Sequence, residues 1–96
     1  MSPINKKKLK NLIKKLDNLD NSFIKLVKKR TYIVKQVLKL KERKSQIVDK
    51  KRIKFILNQI RKKSIKNKLD PKITNRIWKN MILSYIDFER RNFKKK

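Results

Sequence analysis

Cysteine, histidine and glycine are all absent from this chain of 96 residues. Without cysteine there is no disulfide framework and no thiolate metal site, and without histidine the commonest metal ligand and general base are missing. The absence of glycine excludes the glycine-rich loops that hold phosphate groups. The 7 acidic residues are scattered singly, so no calcium or magnesium site is expected. We expect a protein that uses no metal and no cofactor.

Negative charge is scarce, since 32 lysines and arginines outnumber 7 aspartates and glutamates to give a net charge of +25. Such an excess favours anionic partners, although compositional bias explains lysines dispersed along the whole chain equally well. A basic helical dimer that binds nucleic acid is therefore an alternative and not the expected function. No run of about 18 apolar residues is present, and the start of the chain does not resemble a signal peptide. We expect a cytoplasmic protein with no membrane partner.

The apolar residues of the first half of the chain recur every three or four positions, which is the period of an α-helix. Written as heptads, they form two columns in which every residue is large and apolar except Arg30. The columns are Leu9, Leu16, Phe23, Arg30 and Val37, and Leu12, Leu19, Leu26, Ile33 and Leu40. The pattern predicts one helix over residues 6–42.

This first helix is too long for a small globular domain. At roughly 1.5 Å per residue it spans about 55 Å, whereas a compact chain of this size is only about 30 Å across. The two apolar columns together form a seam along this helix. This apolar seam must extend past the protein's own core and needs a partner. We expect a homodimer in which the long helices lie side by side.

Two shorter helices are predicted to follow. The heptad pattern stops over residues 43–48, which indicates a loop, and Asp49 is a suitable N-cap for a helix over residues 49–67. Asp70 followed by Pro71 predicts the start of a third helix, over residues 71–93. The residues expected to face inward are Ile53, Ile56, Leu57, Ile60 and Ile65 in the second helix, and Ile77, Trp78, Met81, Ile82, Tyr85 and Phe88 in the third. The fold class is all-α, a single domain of three helices with a very long first helix.

Arg30 is the one charged residue in the apolar seam. Successive turns on its face carry Arg30, Val34, Val37 and Lys41, which are two cations separated by an apolar floor. This arrangement suits a small, apolar-bodied molecule with more than one negative charge, because an arginine binds a carboxylate through two parallel hydrogen bonds. Alternatively, a seam arginine extends to solvent or sets the register of paired helices.

The same spacing in the third helix selects an apolar stripe that ends in a carboxyl group: Trp78, Ile82, Tyr85 and Glu89. The alternative role for Glu89 is an ordinary ion pair with a neighbouring lysine or arginine. At the start of the second helix Asp49 and Arg52 stand together. Capping by Asp49 and exposure of Arg52 to solvent would explain that pair without a site.

Taken in order, the segments LDNLDNSFIKLVKKRTYIVKQVLKLK, VDKKR and LDPKITNRIWKNMILSYIDFE resemble the all-helical, type II chorismate mutases over roughly residues 9–93. The resemblance implies an intertwined homodimer of three-helix chains. It also implies the rearrangement of chorismate, a dicarboxylate, to prephenate in phenylalanine and tyrosine biosynthesis. That reaction is unimolecular, so the protein only has to hold the reactive conformer and stabilise negative charge on the ether oxygen.

By position, the resemblance implies two catalytic residues. Lys41 would contact the ether oxygen and a carboxylate of the substrate. Glu89 would donate a hydrogen bond to the ether oxygen, which a glutamate can do only when protonated. The implied substrate-binding residues are Arg30 on a carboxylate, Asp49 near the hydroxyl, Arg52 from the second helix, and Tyr85 in place of a small hydroxyl residue.

The chain departs from the family pattern at two further positions. Family members usually carry an arginine near the start of helix one that reaches into the partner's pocket, and here that position is Ile13, with Lys10 and Lys14 nearby. Ile53 stands where an acidic residue often follows the second-helix arginine. Ile53 and the helix-three run YI..E are also similar to isochorismate pyruvate-lyases, relatives with the same fold. A lyase, or a catalytically weak relative, is the alternative within this fold.

Overall fold

The computed structural model describes residues 1–95, none of which is in a β-strand. It contains α1 (Pro3–Leu40), a short 3₁₀ turn (Lys44–Gln46), α2 (Lys50–Lys66) and α3 (Pro71–Asn92). α1 has 38 residues, α2 has 17 and α3 has 22. The predicted all-α fold of three helices with a very long first helix is confirmed.

α1 begins at Pro3 and not at residue 6, the predicted start, because Ser2 caps the helix. The hydroxyl oxygen of Ser2 accepts a hydrogen bond from the backbone N–H of Asn5 at 3.2 Å. Pro3 occupies the first helical position, where a missing N–H costs nothing and the fixed φ already suits a helix. The apolar period starts only at Leu9 and therefore cannot locate this Ser-Pro start.

Asp49 and Asp70 cap α2 and α3, as the sequence predicts. Oδ1 of Asp49 accepts from the backbone N–H of Arg52 at 3.0 Å, and Oδ1 of Asp70 accepts from that of Lys72 at 2.9 Å. Each carboxylate thereby satisfies one of the N–H groups that have no partner inside the helix, and its charge complements the positive end of the helix dipole.

The turn between α2 and α3 is built without glycine. Lys68 has φ = 58°, in the left-handed region. Its backbone N–H donates to the carbonyl of Ile65 at 3.1 Å, and the N–H of Leu69 donates to that of Ser64 at 2.8 Å. These two bonds form a Schellman motif, in which glycine is the usual residue at the position of Lys68. A side chain with a Cβ in this conformation costs about 1–2 kcal/mol.

The chain divides into two compact units, Met1–Ile33 and Val34–Lys96. The first unit is a helical segment in which no residue is buried. Its apolar seam is open to solvent, with Leu12, Leu16, Leu19, Phe23 and Leu26 all 55–61% exposed. This unit therefore has no core of its own.

The second unit has a core in which buried polar side chains outnumber buried apolar ones. Among the residues described, only Leu38 and Ile47 are buried apolar side chains, while Ser64, Thr74 and Glu89 are buried and polar. α2 packs against α3 in this unit. The hydroxyl groups of Ser64 and Thr74 are hydrogen-bonded to each other at 2.6 Å, and that of Ser64 also donates to the carbonyl of Ile60 at 2.6 Å. This pair joins α2 to α3.

Two residues that the sequence places on inward faces are exposed. Ile65 is 58% and Ile77 is 43% accessible. At 3.6 residues per turn, Ile77 lies about 80° around the helix from Tyr85, at the edge of the buried stripe. Ile65 lies about 140° around α2 from Ile60 by the same measure, and it stands in the last turn before the helix ends.

Candidate functional site

Lys41 and Glu89 form an ion pair in the second unit. Nζ of Lys41 donates to Oε1 of Glu89 at 2.8 Å, and the two residues are 48 positions apart in the chain. The side chain of Lys41 is 20% exposed and that of Glu89 is 8% exposed. Such a short, charge-assisted bond is stronger where water is mostly excluded. Glu89 therefore forms an ion pair with a lysine, which is the alternative role that the sequence indicates for it.

The ends of α1 and α3 position this pair. Lys41 is the first residue after α1, and its backbone N–H donates to the carbonyl of Leu38 at 3.2 Å. Leu38 is only 8% exposed, so it anchors the end of α1 in the core. Glu89 lies in the last turns of α3, on the stripe that also carries Trp78, Ile82 and Tyr85, and these three side chains are half-buried. The predicted stripe of α3 therefore faces inward along its length.

Lys41 and Asp49 line the same open depression, which has a volume of about 660 Å³. Its other lining residues are Ser45, Gln46, Val48, Lys50 and Lys51. Small-molecule sites are typically about 300–1,000 Å³, so the depression has room for a compact ligand. Three lysines and one aspartate make its charge positive, which suits an anion.

Gln46, Lys50 and Lys51 also line the depression, although they are not among the predicted site residues. Oε1 of Gln46 accepts from the backbone N–H groups of Glu42 at 2.8 Å and Arg43 at 2.9 Å, which orders the loop after α1. Lys50 and Lys51 directly follow the capping aspartate, so the position of the cap is a signal that could locate them. Gln46 has no such signal, because its contacts depend on the path of the loop.

Asp49 and Arg52 are both exposed and are linked through the cap of α2. Oδ1 of Asp49 accepts from the backbone of Arg52, and the guanidinium of Arg52 lies 5.5 Å from the centre of the Phe55 ring. That distance is within the range of a cation–π contact. Arg52 does not line the depression that contains Lys41 and Asp49.

Tyr85 is half-buried one turn before Glu89. Its ring packs edge-on against that of Phe88, with centroids 6.5 Å apart and an interplanar angle of 86°. This T-shaped geometry is favourable because the positive edge of one ring meets the negative face of the other. This contact orients the ring of Tyr85, one turn before the buried Glu89.

Arg30 belongs to the first unit and lies on the exposed surface of α1. The two valines predicted as an apolar floor belong to the second unit, in which Val34 is half-buried and Val37 is 44% exposed. Within the second unit, Lys41 thus contacts Glu89 and also lines the depression that contains Asp49. Tyr85 lies one turn before Glu89 in α3.

In residues 1–95, no group of three or more histidine, cysteine, aspartate or glutamate side chains is placed to hold a metal ion. None of the helices in this range combines the length and the apolar character that crossing a membrane requires.

A family model described as chorismate mutase type II matches residues 12–90. The chain belongs to the type II chorismate mutase family. No curated protein and no solved structure matches the chain. The span that matches the type II chorismate mutase model takes in most of α1, all of α2 and most of α3, and it includes all six predicted site residues. Ile13, which stands where the resemblance leads us to expect an arginine, also lies inside it.

Proposed function

We propose that the protein is a chorismate mutase, which rearranges chorismate to prephenate. Membership of the type II family supports a mutase-type activity. The observation that carries the proposal is the 2.8 Å contact between Lys41 and Glu89. It joins, across 48 positions of the chain, the two residues to which the resemblance assigns the ether oxygen of the substrate.

The proposed reaction matches what this chain contains. Chorismate rearranges within one molecule, so no nucleophile, metal or proton relay is needed. The protein has to restrict the substrate to its reactive conformer and place positive charge where the ether oxygen becomes negative. The ammonium of Lys41 supplies that charge at a largely shielded position, since its side chain is 20% exposed.

Glu89 must change its role for this mechanism to work. Within the protein its carboxylate accepts a hydrogen bond from Lys41. To donate to the ether oxygen it has to carry a proton, and a protonated carboxyl group no longer holds the ammonium as a counter-ion. We therefore propose that Glu89 takes up a proton as the substrate binds, which releases Lys41 to the substrate. Activity should then decline as the pH rises.

The other four residues are assigned to substrate binding. Arg30 is assigned to a substrate carboxylate, and Tyr85, one turn before Glu89, to contact with the substrate. Oδ1 of Asp49 accepts a backbone N–H, so we assign Oδ2 to the substrate hydroxyl. The guanidinium of Arg52 packs over Phe55, and it would have to leave that ring to reach a carboxylate.

We also propose that two copies of the chain pair through the apolar seam of α1. The support is the exposure of the seam in the first unit, where Leu19 and Leu26 are each 61% and Phe23 is 55% accessible. A seam of this length requires a partner, and a second copy offers a matching seam.

Turnover of chorismate by the purified chain tests the proposal. Loss of chorismate absorbance should be followed from pH 5 to 8, with the product identified by mass. Prephenate should form, and Arg30→Ala should abolish it. Arg61→Ala removes an exposed arginine of α2 and should retain activity.

Absence of turnover by a folded dimer would overturn the mutase proposal. Release of pyruvate from isochorismate would then identify a lyase. Binding of nucleic acid that weakens steeply with salt, without either reaction, would favour the alternative from a different class.

A further inference from the structure

A second cavity, of about 280 Å³, lies in the second unit and is lined by the end of α1, the end of α3 and the segment that follows α3. None of the six proposed active-site residues lines it. The cavity is therefore distinct from the depression that contains Lys41 and Asp49.

The floor of this cavity is apolar and partly aromatic. It is formed by Leu38, Phe88 and Phe93. Leu38 is 8% exposed, and both phenylalanines are half-buried. Aromatic rings pack well against each other in edge-on or offset arrangements, so two phenylalanines favour a ligand that carries a ring.

The rim of the cavity is cationic. Among the residues that the structure describes, four lysines and no acidic residue line it: Lys35, Lys39, Lys94 and Lys95. The ion pairs of Lys41 with Glu89 and of Arg91 with Asp87 do not involve a rim lysine. Nζ of Lys95 donates to the backbone carbonyl of Lys39 at 2.6 Å, which holds the segment after α3 against the end of α1.

The face of α1 that lines the cavity also lies away from the proposed dimer contact. Lys35, Leu38 and Lys39 fall outside both apolar columns of α1. Pairing of two chains through those columns therefore does not involve the face of α1 that lines the cavity.

We propose that this cavity binds a small aromatic monocarboxylate that carries no ammonium group. A volume near the lower end for ligand sites limits the ligand to one ring with a short chain. The carboxylate would meet the rim lysines while the ring meets the phenylalanines. An ammonium group on the ligand would be repelled by the same lysines, so a zwitterionic amino acid with the same ring is a poor fit.

Titration calorimetry with 3-phenylpropanoate, at about 0.15 M salt, tests this proposal. We expect saturable binding of one molecule per chain. Phenylalanine has the same ring and carboxylate with an added ammonium, and we expect it to bind at least about tenfold more weakly. Acetate has the charge without the ring and should give no saturable binding. Equal affinities for 3-phenylpropanoate and phenylalanine, or no saturable binding of 3-phenylpropanoate, would overturn the proposal.

Matched variants distinguish binding at this site from nonspecific attraction of an anion to a chain with a net charge of +25. The double variant Lys35→Gln/Lys39→Gln should weaken binding about fivefold. Its control, Lys62→Gln/Lys66→Gln, removes two exposed lysines at the same spacing on α2 and should leave binding unchanged. Equal weakening in both double variants would show that the attraction is nonspecific.

The aromatic floor is tested in the same way. Phe93→Ala should weaken binding about fivefold, because it removes one ring of the floor. Phe55→Ala removes an exposed phenylalanine of α2 and is the control. Circular dichroism should show that each variant keeps its helical content. Full affinity in a folded Phe93→Ala variant would contradict the proposal.

Discussion

The ammonium of Lys41 lies 2.8 Å from the carboxylate of Glu89, and 48 residues separate them in the chain. Their side chains are 20% and 8% exposed, whereas those of the ion pair between Arg91 and Asp87 are 64% and 67% exposed. Exposed ion pairs contribute little to stability because water and salt screen them. Removing one partner of the shielded pair should therefore cost more stability than removing one partner of the exposed pair.

Glu89→Gln should flatten the dependence of chorismate turnover on pH. Turnover should be followed from pH 5 to 8, since a glutamate can donate to the ether oxygen only when it is protonated. A glutamine side chain donates at every pH in this range. The measurement is kcat/KM for chorismate across the range, with Asp87→Asn as a control on an exposed carboxylate two residues away. An unchanged curve in Glu89→Gln would remove the assignment of Glu89.

Lys41→Met should lower the free energy of unfolding by about 1–3 kcal/mol, because it leaves the Glu89 carboxylate shielded from water without its partner. The double variant Lys41→Met/Glu89→Leu should recover much of this loss, since an apolar pair can replace a buried ion pair. Denaturant unfolding of the three proteins measures both effects. A double variant that is less stable than Lys41→Met would contradict this account.

Ser64→Ala should lower the free energy of unfolding by about 1–2 kcal/mol, since the buried Thr74 hydroxyl loses its 2.6 Å partner. In the double variant Ser64→Ala/Thr74→Val, the free energy of unfolding should fall by about 1 kcal/mol less than the sum of the two single losses. Ser84→Ala is the matched control, because Ser84 also donates to a carbonyl four residues earlier but is exposed. Its effect should stay within about 0.5 kcal/mol. If the two single losses of stability simply add in the double variant, the side chains of Ser64 and Thr74 are not energetically coupled.

Lys68→Gly should raise the free energy of unfolding by about 0.5–1 kcal/mol. Glycine adopts a φ of 58° without steric cost, and this gain exceeds its greater freedom in the unfolded chain. Lys66→Gly, in the last turn of α2, should instead lower stability by about 1 kcal/mol. Thermal or denaturant unfolding distinguishes the two. A loss of stability at both positions would contradict the left-handed conformation of Lys68.

Leu19→Lys should weaken self-association at least about tenfold, because it places a charge in the proposed seam. Ile24→Lys is the matched control, since Ile24 is 69% exposed and Leu19 is 61% exposed but only Leu19 lies in an apolar column. Sedimentation across a range of concentrations measures the association of both variants. Equal association in the two variants, or a monomeric wild type, would overturn the proposed pairing.

Features of the fold that depend on neighbouring residues could be read from the sequence. Asp49 and Asp70 cap their helices as predicted, because a capping side chain bonds to a backbone N–H only two or three residues away. The seam of α1 follows from the helical period alone. The Ser-Pro start of α1 is equally local, but it lies before Leu9, where the apolar period begins, and so the period does not reveal it.

The inward face of α3 was predictable in its centre and not at its edge. Tyr85 and Glu89 lie inside, whereas Ile77 is 43% exposed although it is as apolar as its neighbours. Residue type sets the preference for burial, but the width of the buried stripe depends on how closely α2 packs against α3. The helical period of the sequence does not determine the distance between α2 and α3.

The sequence by itself determined which segments are helical and, apart from Ile65 and Ile77, which side chains α2 and α3 direct inward, because capping and helical period act over a few residues. Tertiary structure alone decided that Lys41 contacts Glu89, that Ser64 contacts Thr74, and that Lys68 closes a turn in the left-handed region. These contacts depend on how the ends of separate helices meet. That meeting is set by the packing of whole helices and not by the residues next to each contact in the chain.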